Sequence, residues 1–182
     1  MEIIKAIVNN DFEYIKNLNL NTDLNFYDDS HKTPLYYICL HNNYEILSYV
    51  LKNFNIDILD DNDNNSLSFL IACKNLNDKI IMSLISINRN VIYTNINEET
   101  CFNILYTKYL SKEKNSELLL KTLLKLYLNM EISDDFIKKL FDAGTKNYNT
   151  FSINFDIELE FKDYNNEQKE SIYSILNLCY LI

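Results

Sequence analysis

The amino-acid sequence repeats itself with a period of 33 or 34 residues, and this period constrains the fold more than any other feature. A tetrad that begins with Asn recurs at steps of 34 and 33 residues, at positions 21–24, 55–58 and 88–91. A second position recurs at the same two steps, at Thr33, Leu67 and Thr100. Two anchors with one spacing indicate an array of structural units that bury apolar surface against their neighbours.

Each unit has the pattern of a turn followed by two helices. In the second unit a polar turn precedes Pro34, and apolar residues at helical spacing follow it, such as Ile46, Tyr49 and Val50. A single helix pair cannot bury such a stripe alone. The pattern therefore predicts helix pairs that stack on one another.

The composition favours helices and excludes several other folds. The 182 residues include one Gly and one Pro, whereas a glycine-rich phosphate loop or a many-turned β-sandwich needs several positions with positive φ or a fixed bend. Asn and Asp tolerate the left-handed conformation and hydrogen-bond to their own backbone, so we expect them to form the turns.

The segment 28–39, DDSHKTPLYYIC, resembles the opening of an ankyrin repeat, whose unit is a β-turn followed by two antiparallel helices. Asp28 and the run Thr33, Pro34 and Leu35 match the family's pattern. The resemblance covers roughly residues 1–144. It implies a mostly α-helical fold, an ankyrin-like solenoid of stacked helix pairs, with a C-terminal extension that contains one strand and one helix.

The resemblance also suggests domain limits. The predicted array occupies residues 1–144, with repeats at approximately 1–27, 28–61, 62–94 and 95–130 and a partial repeat at 131–144. In the partial repeat Ser133 is a candidate N-cap and Gly144 a candidate helix stop. Residues 145–182 are predicted to form a C-terminal cap of one strand and one helix.

Other residues replace most glycines of the family's pattern. Asn21, Asn55 and Asn88 stand where the family has the glycine that ends each second helix, and we expect them to take its backbone conformation. The glycine of the turn tip is also replaced, which predicts irregular tips, at His31, Asn65 and Glu98.

Residues 151–162 change to strict alternation of apolar and polar residues. This alternation predicts a strand over 151–161. One interpretation is that the strand packs on the last helix pair and caps the array. Another is that it pairs with a second copy of the chain, which would give a homodimer through residues 151–161, or with a partner strand. A third is that the segment forms an amphipathic helix instead. A final helix is predicted from Glu167 to about Tyr180.

The formal net charge is −9 and the pI is near 4.7, with Arg89 as the single arginine. This balance argues against nucleic-acid binding and favours a partner protein with a basic surface. The sequence has no apolar run of membrane-spanning length and no signal-peptide pattern at its N-terminus. It therefore predicts no membrane association and a cytoplasmic location.

The sequence offers no constellation for catalysis. His31 and His41 have no third metal ligand, and the acidic run at 60–63 lacks the glycine and glutamate of a calcium loop and is predicted to be a solvated turn. The cysteines have no metal-binding spacing and are predicted to be buried thiols, at Cys39, Cys73, Cys101 and Cys179. We therefore predict no catalytic residue, no metal, no cofactor and no enzymatic activity.

The resemblance implies that a partner protein binds the concave face, which consists of the turn tips and the exposed positions of each first helix. Transferred position by position, the second repeat contributes Asp29, Ser30, Lys32, Leu40 and His41. The third repeat contributes Asp63, Asn64, Ser66, Lys74 and Asn75. The fourth contributes Ile96, Asn97, Glu99, Thr107 and Lys108.

The leading functional hypothesis is a non-enzymatic module that binds another protein and blocks or redirects it. Richness in Asn, Ile, Lys and Tyr suggests an AT-rich genome. The chain resembles the short, degenerate ankyrin proteins with which large DNA viruses and intracellular bacteria target host factors. This resemblance would place the protein in host cytoplasm. Two alternatives are a bacterial immunity or inhibitor protein against a basic toxin, and a structural subunit that self-associates through residues 151–161.

Overall fold

A computed structural model describes residues 2–60, 66–97, 99–146 and 161–180. The fold is mostly helical, with 63% helix, and this confirms the predicted ankyrin-like class of helical repeats. The chain divides into two compact units, unit 1 (Met1–Ile96) and unit 2 (Asn97–Ile182). Apart from Phe161, the predicted strand at 151–161 lies outside the described residues.

Unit 1 contains three helix pairs. The pairs are α1 (Glu2–Val8) with α2 (Phe12–Lys16), α3 (Pro34–Leu40) with α4 (Tyr44–Asn53), and α5 (Leu67–Lys74) with α6 (Asp78–Ile87). The first helices form one layer, in which α3 packs against α1 and α5, and the second helices form another, in which α4 packs against α2 and α6. A 3₁₀ helix (Arg89–Tyr93) and strand β1 (Asn95–Ile96) complete unit 1.

Hydroxyl side chains cap the first helices of the second and third repeats. Thr33 Oγ1 accepts a hydrogen bond from the Tyr36 backbone N–H, and Ser66 Oγ accepts one from Phe69 N–H, both at 3.1 Å. The counterpart of Thr33 in the third repeat is therefore Ser66, and the predicted anchor at Leu67 is wrong by one residue. Helix α5 has eight residues where α3 has seven, and the extra residue displaces the register.

Positive φ angles occur between the two helices of each pair in unit 1. Asn10, Asn42 and Leu76 have φ of 54°, 58° and 52°. At the turn tip of the second repeat His31 has φ of 54°, the left-handed conformation that glycine adopts without steric cost. The backbone predicted for the helix-ending asparagines is wrong: Asn88 has φ of −142°, and the described residues with positive φ do not include position 21 or 55.

Unit 2 begins with strand β2 (Glu99–Thr100) and contains four helices in its described part, α7 (Cys101–Leu110), α8 (Ser116–Leu128), α9 (Asp134–Lys146) and α10 (Asn166–Tyr180). Helix α7 packs on α8, and α10 contacts α7, α8 and α9. Ser133 Oγ accepts a hydrogen bond from the Phe136 N–H at 3.1 Å, which confirms the predicted cap. Gly144 is not the helix stop that was predicted, because α9 continues to Lys146.

Candidate functional site

The carboxylate of Asp28 holds the turn that opens the second repeat. Its Oδ1 accepts hydrogen bonds from the backbone N–H groups of Ser30 and Lys32, both at 2.9 Å, and its Oδ2 accepts one from the Tyr37 hydroxyl at 2.5 Å. The bond from Tyr37 lowers the pKa of Asp28, with help from the backbone donors, and the same bond raises the pKa of Tyr37. Asp29 and Ser30 are thus exposed on a turn whose backbone is already fixed.

Two aromatic side chains in the first turn of α3 contact residues of this turn. The rings of Tyr36 and Tyr37 meet edge to face, with their centroids 5.4 Å apart. The ammonium of Lys32 lies 5.1 Å from the centroid of the Tyr36 ring, a distance at which a cation is attracted to the ring face. All three side chains are half-buried. They join the tip of the second repeat to the first turn of α3.

Asparagine side chains join the C-terminal ends of α1, α3 and α5. Asn43 Nδ2 donates a hydrogen bond to the Ile7 carbonyl oxygen at 2.5 Å. Asn75 Nδ2 donates to the Leu40 carbonyl oxygen at 3.0 Å. Each amide satisfies a carbonyl at a helix end that has no partner within its own helix. The three helix ends therefore lie side by side.

Val8, Leu40 and Lys74 occupy equivalent places at these three ends, and we call them the helix-end row. Val8 and Leu40 are 42% and 38% exposed, so each of two neighbouring helices carries an apolar side chain at the surface of unit 1. Lys74 adds an ammonium group at the end of the row. Such a surface can bury apolar side chains of a partner while a neighbouring charge selects the partner's orientation.

Asp60 connects the second and third repeats from the inside. It is 7% exposed. Its Oδ2 accepts hydrogen bonds from the hydroxyls of Thr33, at 2.9 Å, and Ser68, and its Oδ1 accepts one from the Ser68 N–H at 3.3 Å. Burial raises the pKa of Asp60, and the hydrogen bonds from Ser68 and Thr33 oppose that rise. The solvated turn predicted for the acidic run is therefore wrong at Asp60, and residues 61–65 lie outside the described parts of the chain.

The helix caps and connecting hydrogen bonds of unit 1 thus recur near the period seen in the sequence. Residues 3–97 match the family model for ankyrin repeats, in three copies. The chain belongs to the ankyrin repeat family. No curated protein and no solved structure matches it at a significant level. Ankyrin repeats are generally protein–protein interaction modules and are typically non-enzymatic.

The ankyrin binding residues predicted from the sequence fall into several groups. Those at or near the surface of unit 1 are Asp29, Ser30, Lys32, Leu40, His41, Lys74, Asn75 and Ile96. Ser66 does not belong with them, because its fully buried side chain caps α5. Asp63 and Asn64 lie outside the described residues. The remaining four are exposed or half-buried in unit 2, at Asn97, Glu99, Thr107 and Lys108.

The binding residues predicted from the sequence do not include Val8, Tyr36 or Tyr37. A signal for Val8 was present, because it follows the buried pair Ala6 and Ile7 as Leu40 follows a buried pair in the second repeat. Tyr36 and Tyr37 looked like ordinary members of a helical stripe. Their partners, Lys32 and Asp28, become neighbours only when the turn folds back on α3.

Among the described residues, no group of three His, Cys, Asp or Glu is placed to hold a metal ion. Cys39, Cys73 and Cys101 are buried and form no disulfide bond in the described parts of the chain. Burial raises the pKa values of Cys39 and Cys73, which keeps these two thiols protonated. No helix in the described ranges is both long and apolar enough to cross a membrane.

Proposed function

We propose that unit 1 binds a partner protein, without catalysis, through the helix-end row and the tip of the second repeat. The observation that carries this proposal is the pair Val8 and Leu40, which are exposed at equivalent places on two joined helices. Exposed apolar side chains that recur at the same place on neighbouring repeats can form a contact surface for a partner protein. The turn held by Asp28 adds polar groups whose backbone needs little further ordering on binding.

The partner in this proposal has a basic surface, which is supported by the net charge of −9. Its binding would then weaken as salt is added, because salt screens exposed charges. We infer that the protein acts in the cytoplasm, and in the host cytoplasm if a virus encodes it. Three buried cysteines form no disulfide bond in the described residues, which is compatible with a reducing compartment.

The experiment is capture from a candidate host lysate with mass-spectrometric identification. The wild-type chain is compared with the double variant Val8→Asp and Leu40→Asp and with Met82→Asp. Met82 is a matched control because it is 41% exposed on α6, in the layer of second helices. We expect a protein that wild type and Met82→Asp capture and the double variant does not. Equal capture by all three chains would rule out the helix-end row.

The proposed roles differ in the identity of the partner. A pathogen-encoded modulator binds a host factor, whereas an immunity or inhibitor protein binds a toxin encoded beside it, so neighbouring genes separate the two. A self-associating subunit needs no other protein. Light scattering at micromolar concentration tests this third role, since a monomer would argue against pairing through residues 151–161.

A further inference from the structure

A second surface lies in unit 2, at the loop between α7 and α8. The loop lines a groove of about 930 Å³, which is within the size range of sites that accept small ligands. Leu110 and Leu118 both line it, and they are 61% and 65% exposed. Five residues separate α7 from α8, whereas three separate α3 from α4, so the groove accompanies a longer connection.

The backbone of this loop is fixed by its own hydrogen bonds. Lys112 and Asn115 have φ of 57° and 70°, so the backbone changes direction at two points within the loop. The Glu113 N–H donates to the Lys108 carbonyl oxygen at 3.1 Å, and the Ser116 hydroxyl donates to the Glu113 carbonyl oxygen at 2.6 Å. A loop already held in one conformation loses little entropy when a partner binds it.

Two of the lysines that line the groove take no part in the ion pairs that the described residues form. Glu113 pairs with Lys108 at 2.9 Å, and Glu117 pairs with Lys121 at 2.7 Å. Lys121 also pairs with Asp134 at 2.7 Å, and these two carboxylates raise its pKa. Lys112 and Lys114 also line the groove, and in the described parts of the chain neither forms an ion pair.

We propose that this groove binds an acidic segment of a partner protein that carries a bulky apolar side chain. The apolar side chain lies between Leu110 and Leu118, and flanking carboxylates meet Lys112 and Lys114. This surface is built only from residues of unit 2, so the proposal goes beyond the helix-end row and does not depend on it. It also calls for charge opposite to that of the basic partner proposed for the whole chain.

An anionic membrane is the less suitable occupant of the groove. Two lysines attract an anionic surface weakly, and stable attachment to a membrane usually needs a larger basic cluster. The chain as a whole carries a net charge of −9, which opposes its approach to anionic lipid. A peptide segment can place its carboxylates at the two lysines without bringing a large negative surface with it.

The test uses a phage-displayed library of random peptides, selected on the full wild-type chain. Enriched peptides are then synthesised and titrated against three variants, Leu118→Asp, the double variant Lys112→Glu with Lys114→Glu, and Met82→Asp as a control in unit 1. Because all the changed side chains are at the surface, we expect every variant to fold, and circular dichroism checks this. The double variant Lys112→Ala with Lys114→Ala provides a second, milder test of the charges.

We expect selected peptides to be acidic and to contain Leu, Ile, Phe or Met. Their affinity should fall at least about tenfold with Leu118→Asp and with the charge reversal, fall less with the alanine pair, and stay unchanged with Met82→Asp. Absence of acidic peptides from the enriched set, or equal binding of the acidic peptides to all variants, would overturn the proposal. The proposal would also be overturned if the wild-type chain bound phosphatidylserine vesicles and Leu118→Asp abolished that binding. The ligand of the groove would then be an anionic membrane instead of a peptide.

Discussion

Unit 1 and unit 2 both join helices through aromatic rings, as Phe12 and Tyr49 do in unit 1, but they differ in the contacts that accompany these rings. In unit 1, polar side chains reach from one repeat to the next: Asn25 Nδ2 donates to the Asn55 carbonyl oxygen at 2.9 Å, and Asn25 Oδ1 accepts from the Asp57 N–H at 2.8 Å. In unit 2, aromatic rings meet between elements, as in the pair Phe102 and Tyr127, whose centroids are 5.4 Å apart.

The family match ends at residue 97, close to the boundary between the units. A hydrogen bond between repeats requires a particular residue type at a particular place, whereas an apolar contact accepts several residues of similar volume. A degenerate repeat therefore stays recognisable where polar side chains connect its units.

The largest effect is expected in the aromatic core of unit 2. Phe136 is 2% exposed, and its ring centroid lies 5.7 Å from that of Phe161 and 5.8 Å from that of Tyr164. Phe136→Ala should lower the free energy of unfolding of unit 2 by about 4 kcal/mol, because it leaves a cavity among these rings. Hydrogen exchange at α9 and α10 measures the change. The exposed control Leu118→Ala should cost less than about 0.5 kcal/mol, and a similar small loss for Phe136→Ala would contradict an aromatic core.

The next effect is expected at the buried carboxylate of unit 1. Asp60→Ala removes the acceptor for the Thr33 hydroxyl and for the hydroxyl and N–H of Ser68. Leaving these buried donors unpaired should cost about 3 kcal/mol in urea unfolding. Asp29→Ala, at an exposed position of the same repeat, should cost less than about 0.5 kcal/mol. Equal losses for the two variants would mean that Asp60 does not connect the repeats.

A smaller effect is expected from the amide that joins α3 to α5. Asn75→Ala removes hydrogen bonds from Asn75 Nδ2 to the carbonyl oxygens of Leu40, at 3.0 Å, and Cys39, at 3.3 Å. The loss should be about 1 kcal/mol. Asn9 stands at the equivalent place on α1, where it is exposed and its side chain makes no hydrogen bond to the described residues, so Asn9→Ala should change little. A polar link between repeats is refuted if the two variants have the same stability.

The sequence was sufficient to predict the ankyrin class and the helix pairs, because apolar periodicity and the match at Thr33, Pro34 and Leu35 depend on local residue order. It was not sufficient for the register of the third repeat. Aligning Ala72 and Cys73 with their counterparts in the second repeat places Leu67 at the position of the N-cap residue. One added residue in α5 satisfies both the cap and the core. The contacts that fix the candidate site, such as the one between Tyr37 and Asp28, join residues that folding brings together.

The smallest effect is expected in how the free energy of unfolding depends on pH. It is seen by comparing two carboxylates of unit 1, Asp60 and Asp28. Burial raises the pKa of Asp60, so the folded state binds this proton more tightly than the unfolded state does. The contribution of Asp60 to stability is therefore fully present at low pH, and it is lost as pH rises from the ordinary Asp value, about 3.9, through the raised pKa. Asp60→Asn stays neutral, and its amide can donate to the two hydroxyls while its oxygen accepts from Ser68, so this loss should disappear.

Asp28 should show the opposite sign. Its pKa is lowered, chiefly by the hydrogen bond from Tyr37, so its contribution is present above the ordinary Asp value and is lost as pH falls through the lowered pKa. Urea unfolding across the acid range should therefore show Asp60→Asn gaining on wild type as pH rises above about 4, and Tyr37→Phe losing least relative to wild type at the lowest pH. If Asp60→Asn instead loses ground as pH rises, Asp60 is more stable ionised than neutral in its site. The polar contacts inside the repeats would then depend on charge rather than on burial of a neutral group.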